Sequence, residues 1–146
     1  MSKRKSKLRE GLVFLYLTSV KEYIAYSGEA FTIEWYFDVM GNSDVLNYFN
    51  EQSNAQKRKL LMLLKRMGDF GKINDITKFR NEGEQIFAFK PQPDRYLSFF
   101  HSGKKIIITN AFMKKADKLP KSEKEKSLVR KQDYEQRTKG GSYYEK

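Results

Sequence analysis

The sequence has no cysteine and a single histidine, His101. The first absence excludes disulfides, thiolate nucleophiles and cysteine-ligated zinc or iron–sulfur centres. The second excludes a multi-histidine metal site. It also leaves no base for a serine nucleophile, because His101 abuts the Ser102-Gly103 turn, where a lone histidine is usually solvated. None of the glycines forms the G-x-G-x-x-G or Walker pattern, so a nucleotide-dependent enzyme is not expected. Carboxylates are scattered without a paired spacing. Long apolar runs are missing too: the stretch from Leu12 to Val20 contains Thr18 and Ser19, and Lys21 and Glu22 follow it without a small-x-small cleavage site. Nothing approaches the ~20 apolar residues of a membrane span. The expected location is the cytoplasm, with no membrane, metal or small-molecule cofactor involved.

What is present is basic and aromatic. The 146 residues suit one domain with a single sizeable core. The net charge of +11 is unevenly spread: residues 1–10 carry +4, 11–50 carry −4, 51–68 carry +4, 69–103 are balanced and 104–139 carry +7. Alternating blocks of this kind suggest one basic face that attracts a polyanion at long range. A solubilising surface with a basic tail is the plainer alternative.

Periodicity organises the chain. Leu8, Leu12 and Leu15 predict an amphipathic helix over 7–26, within an N-terminal extension covering residues 1–30. FTIEWYF at 31–37 reads as a first strand, and Met40 to Ser43 as a turn whose Asn42 or Ser43 caps a short helix. A second helix starts at Ser53 or Asn54 and ends at Gly68, with Leu60, Leu63, Leu64 and Met67 as its core stripe. Its basic residues, Lys57, Arg58, Lys65 and Arg66, form either a solvated face or an RNA-binding one. After a loop at 71–83, three strands near 84–90, 94–101 and 104–110 form an antiparallel meander. Pro120 fits the first turn of a last helix, loosely docked and running toward Arg137. Residues 31–138 are the expected domain, and 139–146 the expected flexible tail.

The meander gathers Lys90, Arg95, Lys114 and Lys115 with almost no acid. Strand lysines and arginines usually point to solvent, but such a cluster can also hold phosphate and cleave RNA. The ribose 2′-hydroxyl is an internal nucleophile, so a protein need only align it, neutralise the phosphoryl oxygens and assist proton transfer. A lysine among other cations has its pKa lowered toward neutrality, and an arginine holds phosphate through its planar fork. Tyr96 is a candidate for stacking on a base.

From about residue 31 to residue 134 the chain resembles the phage-derived, HigB-like branch of the RelE/ParE toxin superfamily. Ile86-Phe87-Ala88-Phe89-Lys90 corresponds to a strand reading roughly I-Y-E-L-R, and Arg95 to Phe100 to one like R-I-L-F-F. The specific block is Phe112-Met113-Lys114-Lys115 with Pro120 and Glu123 following, in the family's order and spacing. Three positions depart: Lys90 stands for an arginine, Ala88 for an acid and Asn110 for a frequent histidine. The resemblance implies an α+β, RelE-like fold, a small antiparallel sheet packed against two N-terminal-side helices with a C-terminal helix. It implies the toxin of a type II toxin–antitoxin system, a ribosome-dependent, metal-independent mRNA endoribonuclease whose partners are mRNA, the ribosome and a cognate antitoxin of helix-turn-helix type. Lys90, Arg95 and Lys114 are then the expected phosphate-stabilising or acid–base residues and Asn110 an orienting group. Lys78, Arg80, Lys115 and Lys118 are the expected RNA contacts. A ParE-like inhibitor of DNA gyrase, or a non-catalytic nucleic-acid-binding relative, is the alternative within the same fold.

Overall fold

In the computed structural model, which describes residues 22–144, six strands and three helices follow one another along the chain. They are β1 (Ile24–Ser27), β2 (Thr32–Trp35), α1 (Asp44–Asn50), α2 (Asn54–Phe70), β3 (Phe79–Asn81), β4 (Phe87–Phe89), β5 (Asp94–His101), β6 (Lys105–Met113) and α3 (Lys121–Lys139). The strands form one sheet in the order β1-β2-β6-β5-β4-β3, so the expected α+β class is what forms. The expected antiparallel meander is present as β4, β5 and β6. One junction is parallel: β2 runs beside β6 from Thr32↔Lys105 to Trp35↔Ile108. The connection between them passes through both first helices and the meander, ample length for a parallel return.

α1 and α2 cover one face of the sheet. Ser43 and Ser53 cap them, their hydroxyls accepting from Leu46 N at 3.2 Å and Gln56 N at 3.1 Å. The predicted stripe of Leu60, Leu63, Leu64 and Met67 is buried there against Ile33, Trp35, Phe89, Tyr96, Ile106 and Ile108. On the opposite face α3 packs over Ile86, Ala88, Leu97, Phe99 and Ile107. It is not loosely docked, since Ser127 and Tyr134 are fully buried.

Gly68 does not end α2. The helix runs on to Phe70 and stops at Gly71, whose φ of +84° is the left-handed cap. Gly68 instead permits close approach: its carbonyl accepts from Ala30 N at 2.7 Å and Phe31 N at 3.0 Å, and a Cβ on it would lie 2.6 Å from the Tyr26 ring. A Cβ on Gly28 would lie 2.3 Å from the Gly68 carbonyl carbon, which is backbone and cannot swing aside. Gly28→Ala should therefore cost about 1–3 kcal/mol in urea unfolding. An unchanged midpoint would show that the β1–β2 turn is not clamped to α2.

Several expectations are corrected here. Of the helix predicted over 7–26, residues 7–21 lie outside the described residues, and Ile24–Ser27 is strand, pairing with β2. The sheet therefore includes residues before 31. The 71–83 loop contains β3, three residues that pair with β4. The tail is not free from 139 onward: Tyr143 is buried, and Tyr144 donates to Glu34 Oε1 at 2.7 Å. Among the described residues no helix is long and apolar enough to cross a membrane.

Candidate functional site

The site depends on an irregularity in β6. Against β5 the register steps from Leu97↔Asn110 to Ser98↔Ile108, which leaves Thr109 as an extra residue. Regular alternation from Ile107 would turn Thr109, Ala111 and Met113 toward α3. The bulge shifts the phase, so Phe112 packs on the α3 side and Ala111 on the α2 side. Lys114 follows the new phase, onto the face that carries Arg95.

Between this end of the sheet and the start of α3 lies a hollow of about 1020 Å³. Arg80, Lys90, Arg95, Phe112 and Lys114 line it from the strands, and Lys118, Lys121 and Lys124 from the helix side. Glu82 and Asp117 are its carboxylates. α3 begins at Pro120 without a side-chain cap, so its first amide groups and the positive end of its dipole add to the cationic wall.

Arg95 is the most constrained of these groups. It is 7% exposed, and its Nη1 donates at 3.0 Å to Gln92 Oε1 and at 3.0 Å to the Asp94 carbonyl. Among the described residues it has no ion pair, and its Nε and Nη2 make no hydrogen bond. Burial pulls its pKa below the ordinary arginine value, with Glu82 and Asp94 opposing. A buried guanidinium without a carboxylate is costly for a fold to keep. Its free donors face a space fit for an anion.

Lys90 stands beside it, half-buried, with Nζ donating to the Ile76 carbonyl at 3.0 Å. Burial lowers its pKa, and the charges of Arg95, Arg80 and Lys114 lower it further against the pull of Glu82. That is the electrostatic setting in which a lysine exchanges protons more readily. Lys114 pairs at 3.2 Å with Asp117, a fully exposed carboxylate, and so remains available to an anion. Lys124 is held by the Glu82 carbonyl at 2.9 Å and by Glu84 at 3.1 Å.

Two predicted site residues lie elsewhere. Asn110 is 2% exposed, and its amide donates to Glu123 Oε1 at 2.9 Å and to the Glu123 carbonyl at 3.2 Å. It ties the first turn of α3 to the sheet and does not line the hollow. Tyr96 is 1% exposed and packed edge-on against Tyr48, so no base can reach its ring.

The predicted RNA contacts divide. Arg80 and Lys118 line the hollow; Lys115 is exposed and does not. Lys57 sits 5.9 Å over the Phe49 ring, Lys65 pairs with Asp69 at 2.8 Å, and Arg58 is exposed; none of the three lines this hollow or the one beside α2. Arg66 and Lys78 line a second hollow beside α2, which meets the first at Lys90. The basic blocks at 51–68 and 104–139 thus line two adjoining hollows.

Sequence reasoning missed Lys121, Lys124 and Glu82. The three-residue spacing of the two lysines just after Pro120 could have found them, because that spacing places both on one side of a first turn. Glu82 gives no local signal.

Residues 47–132 match the family model described as "Phage derived protein Gp49-like (DUF891)". The matched segment runs from α1 into α3 and contains every residue that lines the cationic hollow. No curated protein matches the chain.

Proposed function

The chain belongs to the phage-derived, Gp49-like family, and from that membership we propose that it is the toxin of a type II toxin–antitoxin pair, of the RelE/HigB-like kind, cleaving mRNA at the ribosome. The observation that carries this reading is Arg95, a buried guanidinium with no ion pair among the described residues and with free donors on a hollow walled by cations.

The chemistry follows from those groups. The 2′-oxygen attacks the adjacent phosphorus, the bond to the 5′-oxygen breaks, and a cyclic phosphate and a 5′-hydroxyl result. Negative charge grows on the phosphoryl oxygens during attack, where the Arg95 fork and the charges of Lys114 and Arg80 stabilise it. Lys90, with its lowered pKa, takes the proton from the 2′-hydroxyl or returns one to the leaving oxygen. An antitoxin encoded next door neutralises the protein by denying RNA this cationic surface.

Expression of the chain with and without its neighbouring gene tests the proposal, with transcript ends mapped over the first minutes. Codon-phased cuts that disappear when the neighbour is co-expressed are the expected result. Intact transcripts accompanied by DNA breaks would replace it with a gyrase inhibitor.

A further inference from the structure

The second hollow, about 910 Å³, opens between the C-terminal half of α2 and the loop that follows it. Its floor is apolar where a helix surface would ordinarily be polar: Met62 is 65% exposed and Phe70 77% exposed, with Leu63 and Ile73 beneath. Phe70 stacks on no other ring among the described residues. Around this floor stand Lys59, Arg66, Lys72 and Lys78. Asp75, the carboxylate of the lining, is turned into its own loop, where it accepts from Thr77 N at 2.9 Å and Thr77 Oγ1 at 2.6 Å. Asn74 brings a side-chain amide to the edge, whereas that of Gln92 is held by Arg95 at 3.0 Å and donates to the Thr77 carbonyl at 3.2 Å.

We propose that this hollow receives an unstacked base of the same RNA strand whose phosphate lies at Arg95, with the Phe70 ring as the stacking face. The inference rests on the RNA-cleaving reading above and adds a nucleobase subsite to it. Three features identify the occupant. Lys90 lines both hollows, so a strand held at the first continues directly into the second. The rim is cationic, as a phosphate backbone requires, and the floor is apolar with an open aromatic ring, as a base face requires. The Asn74 amide at the edge can pair with a base edge whichever base enters. An acidic amphipathic protein segment matches the charge and the floor, but it does not account for the wall shared with the phosphate-binding hollow.

The test uses the full chain and a fluorescently labelled single-stranded RNA of about ten nucleotides, together with a set of the same RNAs carrying one abasic position each. Phe70→Ala should weaken binding at least fivefold, the scale of one base–aromatic stack, without changing the dependence of affinity on salt. One abasic position should weaken wild-type binding to a similar degree and leave Phe70→Ala binding unchanged. Phe70→Trp should restore affinity. Arg66→Gln and Lys72→Gln should each reduce the salt slope by about 0.7 instead. Phe70 is exposed and contributes little to the core, and equal melting temperatures check that the variants are folded. Wild-type affinity in Phe70→Ala, alongside weakened binding in Arg95→Ala, would overturn the base subsite while leaving the phosphate site standing. RNA binding absent from the wild type would remove both. An acidic amphipathic peptide that binds the wild type but not Phe70→Ala, with RNA affinity equal in the two proteins, would overturn the proposal in favour of a protein partner.

Discussion

Arg95→Ala is expected to slow RNA cleavage about 10²–10³-fold, the loss typical of removing one oriented donor from a transition state. The chain should remain folded. Among the described residues Arg95 has no carboxylate partner to leave stranded, and of its two acceptors Gln92 is exposed to water. Removing a buried charge that nothing pairs can even raise stability. Arg95→Lys should recover part of the rate, because it keeps the charge and loses the fork. Lys90→Ala and Lys114→Ala are expected to act in the same direction. Single-turnover cleavage and thermal melting, measured on the same preparations, separate chemistry from folding. An Arg95→Ala protein that melts normally and cleaves at the wild-type rate would remove this hollow from the reaction.

The largest effect on stability is expected at Tyr143. Its ring is 1% exposed, lies 4.5 Å from the Tyr134 ring, and carries the Arg137 guanidinium 4.5 Å above it. Its hydroxyl accepts the Phe37 N–H at 2.9 Å. Tyr143→Ala removes a fully buried aromatic and should cost about 3–5 kcal/mol in urea unfolding. Tyr143→Phe retains the ring but leaves the Phe37 amide without its acceptor, for a loss of about 1–3 kcal/mol. Near-equal midpoints for wild type and Tyr143→Ala would show that the residues after α3 do not hold the α3 face of the core.

The contrast with sequence reading has physical causes. The stripe of α2 and the strands of the meander are written in local pattern, at periods of 3.6 and 2, and both form, with Ser53 as the cap of the two candidates, a shorter first strand and a last strand that runs on to Met113. β1 and β3 are four and three residues long and exist because neighbouring strands pair with them, so no local period announces them. The end of the chain looked free because Gly140-Gly141 breaks the helix just before two tyrosines. Yet those tyrosines supply ring area that the α3 side of the sheet needs, and Tyr144 supplies a donor to Glu34, which is 4% exposed. Burial and the negative charge of Glu34 push the Tyr144 phenol above its ordinary pKa and keep it protonated as that donor.

For the site, Lys90, Arg95 and Lys114 stood out as the cations gathered by the meander, their roles came from the resemblance, and the geometry brings the three to one hollow. Tyr96 was within reach of simple alternation, because two adjacent residues of a regular strand cannot face one hollow. Asn110 was not, because its orientation follows from the extra residue beside it.

That extra residue divides β6 into two runs of opposite parity. The first, Ile106 to Ile108, answers to the core; the second, through Lys114, answers to the hollow. Loss of the Thr109 codon would let β6 alternate regularly from Ile107 and still turn Phe112 and Lys114 toward α3, losing the Thr109 hydroxyl bonds to the Leu97 carbonyl and to Ser127. Loss of Ala111 with the bulge kept would instead turn Met113 toward α3 and Lys114 away from it, with every cation of the site still encoded. The harm done by a change of length in this strand thus depends on where it falls, and an inventory of its charged residues would not reveal it.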